Sequence, residues 1–234
     1  MISIRYFPPD WGFGNRILFY NNLRQLAEKN ADSWSCVPWE GHDIFSGDML
    51  GEKAMGNVNL NPCLGERFFD THVTSTRNIF KLKNEYQFEE RVAAIHFRGG
   101  DFFAWNKDAV LDKQYYLDAV ASIEGEVDRF ILFTEDESLE SYAAIEEYFE
   151  NKNIQYDIGD NQRENYFDDF AKMSACDYLI SSPSTFCICS AMIGKQTRVI
   201  HSKKWIDSRV EAQDKFWLDL SNGGNEDYSI WRLI

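Results

Sequence analysis

The stretch Ala94-Ile95-His96-Phe97-Arg98-Gly99-Gly100-Asp101-Phe102 changes abruptly from apolar to charged and glycine-rich. The run from Arg91 to Phe97 is mostly β-formers and small apolar residues, the composition of a strand covered on both faces, and Gly99-Gly100 ends it. Side chains two apart on a strand share a face, so His96 and Arg98 are expected to point the same way, with Arg98 at the strand's carboxyl end. An arginine there suits an anion. Its planar fork gives paired, charge-assisted bonds to phosphate oxygens, and glycines let a ligand approach the backbone.

Outward from that strand, strand-like and helix-like segments alternate, with no repeat and no low-complexity tract. Ile2 to Phe7 reads as a first strand, followed by the loop Pro8-Pro9-Asp10-Trp11-Gly12-Phe13-Gly14 and a helix from Asn15 to Lys29. Residues 40 to 75 carry Gly, Asn and Asp with isolated aromatics and no clear period. After the motif strand, helices are expected at Lys113 to Ile123, Ser138 to Glu150, Tyr166 to Ala175 and from Ser184 onward. Strands are expected at Arg129 to Phe133, Ile154 to Tyr156, Asp177 to Ile180 and Arg198 to Ile200. Repeated β-α-β units imply a parallel sheet, and ligands of such sheets sit beyond the strands' carboxyl ends. Three polar groups fall there: Arg98, then Thr134-Glu135-Asp136, then Ser181-Ser182-Pro183-Ser184-Thr185. A helix opening at Ser184 would offer backbone amides and hydroxyls to an anion, so a phosphate-bearing ligand is expected.

Composition agrees with an enzyme-sized α/β protein. The chain of 234 residues is long enough for one or two domains, and a boundary near Gln87 divides residues 1–86 from 87–234. A net charge of −14 argues against general nucleic-acid binding, because phosphate contacts need a basic surface. No run approaches the roughly 20 apolar residues of a membrane span. The first residues lack a basic segment followed by an apolar core, so no signal peptide is expected. Five cysteines, Cys36, Cys63, Cys176, Cys187 and Cys189, form no CxxC pair, which suits a reduced, cytoplasmic protein. Cys187 and Cys189 read as core residues rather than metal ligands, and His42, His72 and His201 belong to no recognisable constellation.

Several separated segments together resemble the α-1,2-fucosyltransferases. Trp11-Gly12-Phe13-Gly14-Asn15-Arg16-Ile17-Leu18-Phe19-Tyr20 is similar to their Gly-Gly-Leu-Gly-Asn-Gln-x-Phe-Gln-Tyr loop, and His96-Phe97-Arg98-Gly99-Gly100-Asp101-Phe102 to their His-x-Arg-Arg-Gly-Asp-Tyr motif. Tyr115-Tyr116-Leu117-Asp118-Ala119 and Phe130-Ile131-Leu132-Phe133-Thr134-Glu135-Asp136 follow in the family's order. Asp169-Phe170-Ala171-Lys172-Met173-Ser174-Ala175-Cys176-Asp177, leading to Pro183-Ser184-Thr185-Phe186, resembles Asp-x-x-x-Met-Ser-x-Cys-x and Asn-Ser-Thr-Phe. The α-1,6- and protein O-fucosyltransferases share a looser version.

The resemblance implies an α/β, GT-B-like architecture of two Rossmann-like domains with parallel sheets, the N-terminal one reduced and facing the acceptor. It implies an inverting, metal-independent transferase that moves fucose from GDP-fucose to a hydroxyl of an oligosaccharide or glycoconjugate and needs no cofactor. On it, Arg98 binds the pyrophosphate and stabilises the leaving group. Ser184, Thr185 and the Phe186 amide add phosphate contacts, Glu135 and Asp136 lie beside the donor, and Asp169 accepts from guanine. His96 touches the nucleotide or shapes its pocket, and Gly12 to Arg16, with Gly14, Asn15 and Arg16 beside the donor, close the cleft from the N-terminal side. Asp101 orients Arg98 or acts as base, with Asp108 the other candidate base.

The chain departs from the pattern in three places. Gly99 replaces the second arginine, with Arg16, where the family has glutamine, as the candidate to restore its charge. Cys187-Ile188-Cys189 replaces a Trp-Trp pair. The short stretch from 30 to 85 suggests a simple or exposed acceptor. Other readings remain: another GDP-sugar as donor, a non-catalytic nucleotide-sugar- or glycan-binding relative, and Arg98 as a structural ion-pair partner of Asp101. Glu135, Asp136, Asp168 and Asp169 could equally cap helices.

Overall fold

The computed structural model describes residues 1–53, 56–60, 73–160, 166–211 and 230–234. The N-terminal part begins with β1 (Ile2–Ile4), α1 (Phe13–Lys29) and β2 (Trp34–Cys36). It continues through α2 (Gly41–Ile44), β3 (Phe45–Ser46), β4 (Val58–Asn59), α3 (Val73–Ile79) and β5 (Lys81–Leu82). β1 lies between β2 and β4 in a parallel three-stranded sheet, and β3 pairs antiparallel with β5.

The second part opens with β6 (Val92–His96), α4 (Phe102–Trp105), a 3-10 turn at Lys107–Ala109, α5 (Lys113–Ala121), β7 (Arg129–Phe133) and α6 (Glu140–Lys152). β8 (Tyr156–Ile158), α7 (Tyr166–Ala175), β9 (Tyr178–Ile180), α8 (Thr185–Ile193), β10 (Arg198–His201), α9 (Lys203–Glu211) and β11 (Trp231–Leu233) complete it. All six strands are parallel, in the order β11-β10-β9-β6-β7-β8. Numbered from β6, that order is 3-2-1-4-5-6 read from the β8 edge, the doubly wound arrangement of a Rossmann-like fold. The chain reverses its direction of travel across the sheet between β6 and β9, and a crevice opens there at the strands' carboxyl ends.

β6 is buried along its whole length, as its apolar run requires of a central strand covered on both faces. Its neighbours are fixed in register, Ala94 opposite both Ile131 and Leu179. Asp112 caps α5 by accepting the Tyr115 N–H at 3.0 Å, and Asn153, left-handed at φ 56°, ends α6. That turn delays β8 to Tyr156, two residues beyond the expected start at Ile154, because Ile154 and Gln155 are spent leaving the helix. β2, β11 and α9 were not expected; strands of three residues carry too little periodicity to read.

The two parts share one core. The ring of Phe13 packs against Phe45 at 6.1 Å and against Phe170 and Phe167 at 5.3 Å each, so the first turn of α1 sits on α7. α8 is apolar all round, which is stable only for an enclosed helix. It packs against α1, α3 and α7. Among the described residues no helix is long and apolar enough to cross a membrane. Cys36, Cys176, Cys187 and Cys189 are free and buried, burial pushing the Cys187 thiol up to about 11, so these are packing residues. Cys63 and His72 lie outside the described residues.

Candidate active site

The chain reversal sets the geometry. His96 ends β6, Ser182 follows β9, and the His96 Nδ1 and Ser182 Oγ lie 2.7 Å apart, bridging the two strands across the reversal. Behind them, the Tyr116 hydroxyl donates to the His96 carbonyl, and the Tyr115 hydroxyl donates to the Ser181 and Ile200 carbonyls. These buried tyrosines spend their hydroxyls on carbonyls at the sheet's end, and the Ile200 carbonyl also accepts from the Ser181 N–H at 2.9 Å. Burial, with the Arg98 charge second, lowers the His96 pKa to about 3, so its imidazole is neutral near pH 7.

A cavity of about 820 Å³ opens over these strand ends, within the range of small-molecule and cofactor sites. Most residues expected from the sequence line it: Gly14, Asn15 and Arg16 from the start of α1, His96, Arg98 and Asp101 after β6, Glu135 after β7, Asp169 from α7, and Ser184, Thr185 and Phe186 at the start of α8. Two do not. Asp108 sits exposed in the 3-10 turn, its N–H held by Asn106 Oδ1 at 3.1 Å. Asp136 Oδ1 accepts from the Ser138 N–H and hydroxyl, and it does not cap α6, whose N-cap is Leu139 with no side-chain cap bond.

Arg98 is the cation at the centre. Its Nη2 lies 2.6 Å from Asp101 Oδ1 and its Nη1 lies 2.6 Å from Glu135 Oε1, while the guanidinium stands 4.5 Å over the Phe102 ring. Its Nε is buried with no hydrogen-bond partner among the described residues. Arg16, the expected substitute for the charge missing at Gly99, is instead held by both oxygens of Glu40 at 2.8 and 2.7 Å. Gly99 has a packing reason: a Cβ there would stand 2.7 Å from Leu139 Cδ2 and 3.0 Å from Asp136 Oδ2.

The glycine loop meets the phosphate-type loop directly. A Cβ on Gly14 would overlap the Thr185 carbonyl, and Cys189 Sγ lies 3.4 Å from the Gly14 carbonyl. Ser184 caps α8 by accepting the Phe186 N–H at 3.3 Å, so that amide is engaged within the helix rather than open to a ligand. Asp169, buried in the first turn of α7, accepts the Asp160 N–H at 2.9 Å.

The sequence reading missed Asp10, Glu40, Tyr166, Phe102, Trp105, Trp205 and Arg209 as cavity residues. Trp205 and Arg209 belong to α9, which follows β10 as the other helices follow their strands, and that position was the available signal. Among the described residues no group of three or more His, Cys, Asp or Glu could hold a metal ion.

A Rossmann-like sheet with an arginine and a helix start over its chain reversal defines a nucleotide-type α/β protein. A family model of glycosyl transferase family 11 matches residues 66–220, more than half of the chain, and the chain belongs to that family, the α-1,2-fucosyltransferase family. It is a glycosyltransferase of fucosyltransferase type. No curated protein and no solved structure matches it.

Proposed function

We propose that the protein moves fucose from GDP-fucose to a hydroxyl of an oligosaccharide or glycoconjugate, with inversion, in α-1,2 linkage and without a divalent metal, in the cytoplasm. The observation that carries this is the convergence of His96, Arg98 and the α8 start over the β6–β9 reversal. That geometry suits a diphosphate: the Arg98 fork and the helix N-terminus together answer the charge that grows on the leaving GDP. Diphosphate oxygens would replace Asp101 and Glu135 on Arg98.

In this reading the two sheets are the two halves of a GT-B enzyme, with residues 87–234 holding the donor and residues 1–86 facing the acceptor. Asp169 reads guanine. The acceptor oxygen attacks the anomeric carbon, the bond to the β-phosphate oxygen breaks with its electron pair leaving on GDP, and the acceptor proton passes to a carboxylate. Of the carboxylates lining the cavity, Glu40 is held by Arg16, Asp101 and Glu135 by Arg98, and Asp169 by the Asp160 N–H. The Asp10 side chain has no hydrogen bond or ion pair with the described residues, and it takes the role of base in place of Asp108. Free, buried cysteines support a reducing compartment.

Calorimetry with GDP in chelator tests the binding half, and GDP release from a panel of GDP-sugars without acceptor tests the donor. Binding in chelator and slow hydrolysis of GDP-fucose are expected. Binding only with added magnesium or manganese overturns metal independence, and hydrolysis of a different GDP-sugar alone reassigns the donor. Donor binding with no turnover in any condition returns the chain to a non-catalytic relative, the reading that Gly99 favours.

A further inference from the structure

One wall of the cavity is a ladder of aromatic rings between two guanidiniums. Arg98 stands 4.5 Å over Phe102, Phe102 meets Trp105 at 5.1 Å, Trp105 meets Trp205 at 6.3 Å, and Arg209 stands 5.3 Å from the Trp205 ring. All five residues line the same cavity. Trp205 is 2 % exposed and serves as the ladder's buried footing, whereas Trp105 is 60 % exposed. An indole left in water at that level costs the fold an apolar contact it could have used, and it is held in place from both sides by other rings.

We propose that Trp105 is the platform on which the acceptor's sugar ring stacks. The ligand class follows from the surface. A pyranose has one face rich in weakly positive C–H groups and an edge of hydroxyls. An indole face is electron-rich and apolar, and so matches the C–H face while leaving the hydroxyls free for polar groups. The ladder also sets position: a ring stacked on Trp105 sits one aromatic residue away from the Arg98 guanidinium, beside the proposed leaving phosphate. The inference rests on the glycosyl-transfer reading for its substrate, but the contact itself is testable without turnover.

Two readouts separate them. In saturation-transfer NMR with methyl β-galactopyranoside and methyl β-glucopyranoside, in the presence of GDP, signal on the sugar ring protons is expected from the native protein. It should be lost in Trp105→Ala and largely kept in Trp105→Phe. Phe103→Ala is the control, since Phe103 is 55 % exposed on the same short helix and does not line the cavity; its signal should not change. In transfer assays Trp105→Ala should raise the acceptor KM about ten-fold and leave the KM for the donor within about two-fold, the split that marks lost acceptor binding. Sugar signal that is absent from the native protein, or unchanged in Trp105→Ala, overturns the platform, as does an equal loss of donor binding. A Trp105-dependent sugar signal in a protein that transfers nothing leaves the platform standing and overturns the transferase reading.

Discussion

Arg98 is paired with Asp101 and Glu135, and on the proposed reading those ion pairs and the bonds to phosphate are two states of one residue rather than alternatives. Charge alone does not distinguish arginine from lysine here; geometry does. A planar fork can exchange two carboxylates for two phosphate oxygens without moving its stem, and a lysine offers one point of charge. Arg98→Lys should therefore lose about 2–4 kcal/mol of transition-state stabilisation, by comparison with removal of one preorganised donor, while melting near the native temperature. Turnover measured beside a thermal melt checks it, and near-native turnover would confine Arg98 to its ion pairs. Asp10→Asn is expected to keep GDP affinity and to lower transfer about 100-fold or more, the usual contribution of a general base. Retained transfer would favour a route driven by the leaving group alone.

At the scale of elements, α8 carries the site because its two ends do different things. Its body is apolar on every side and is clamped by α1, α3 and α7, while its first turn, capped by Ser184, opens on the cavity. Gly14 is what lets α1 come close enough to complete that wall. Adding one methyl in Gly14→Ala sets a Cβ against the backbone of Thr185 and Phe186, which cannot swing aside as a side chain would. A loss of about 1–3 kcal/mol is expected in urea unfolding, the cost of overpacking, together with weakened GDP binding. Gly12→Ala is the comparison, since a Cβ at Gly12 meets nothing within 4 Å. Equal behaviour of the two variants would remove the close approach as the reason for Gly14.

Over the whole molecule, two buried histidines tie stability to pH. Burial lowers both His96 and His201 to about 3, against an ordinary value near 6.5 in the unfolded chain. The unfolded state therefore takes up protons first as pH falls. The stability these neutral rings allow is complete above about pH 6.5 and is lost progressively from there down to about pH 3. Each approaches about 1.4 kcal/mol per pH unit only well below pH 6.5, so the two together should lose about 2 kcal/mol between pH 6.5 and 5.5, before most carboxylates titrate. Urea unfolding at pH 7 and 5.5 measures it, and His201→Asn should flatten the slope by about half. An unchanged slope would place the proton uptake elsewhere.

The sequence by itself determined the parallel α/β class, the buried strand that carries His96 and Arg98, the exact helix Tyr166–Ala175 and the helix start at Ser184. Each of these is written locally: an unbroken apolar run, a glycine pair that stops it, a hydroxyl before an apolar helix. The family motifs also picked out Glu135 and Asp169, and both line the cavity. Only the tertiary structure decided which acidic residues face the cavity and which face away. Asp136 and Asp108 look as well placed as Glu135 and Asp101 along the chain, yet Asp136 is held by Ser138 and lies outside the cavity lining, and Asp108 stands on a turn outside the cavity. The same holds for the partner of Arg16, Glu40, and for the ladder from Arg98 to Arg209. The contacts that decide these arrangements, Arg16 with Glu40 and Trp105 with Trp205, join residues that lie far apart along the chain. Local patterns encode period and turn, but they do not encode which side chains long-range packing brings face to face.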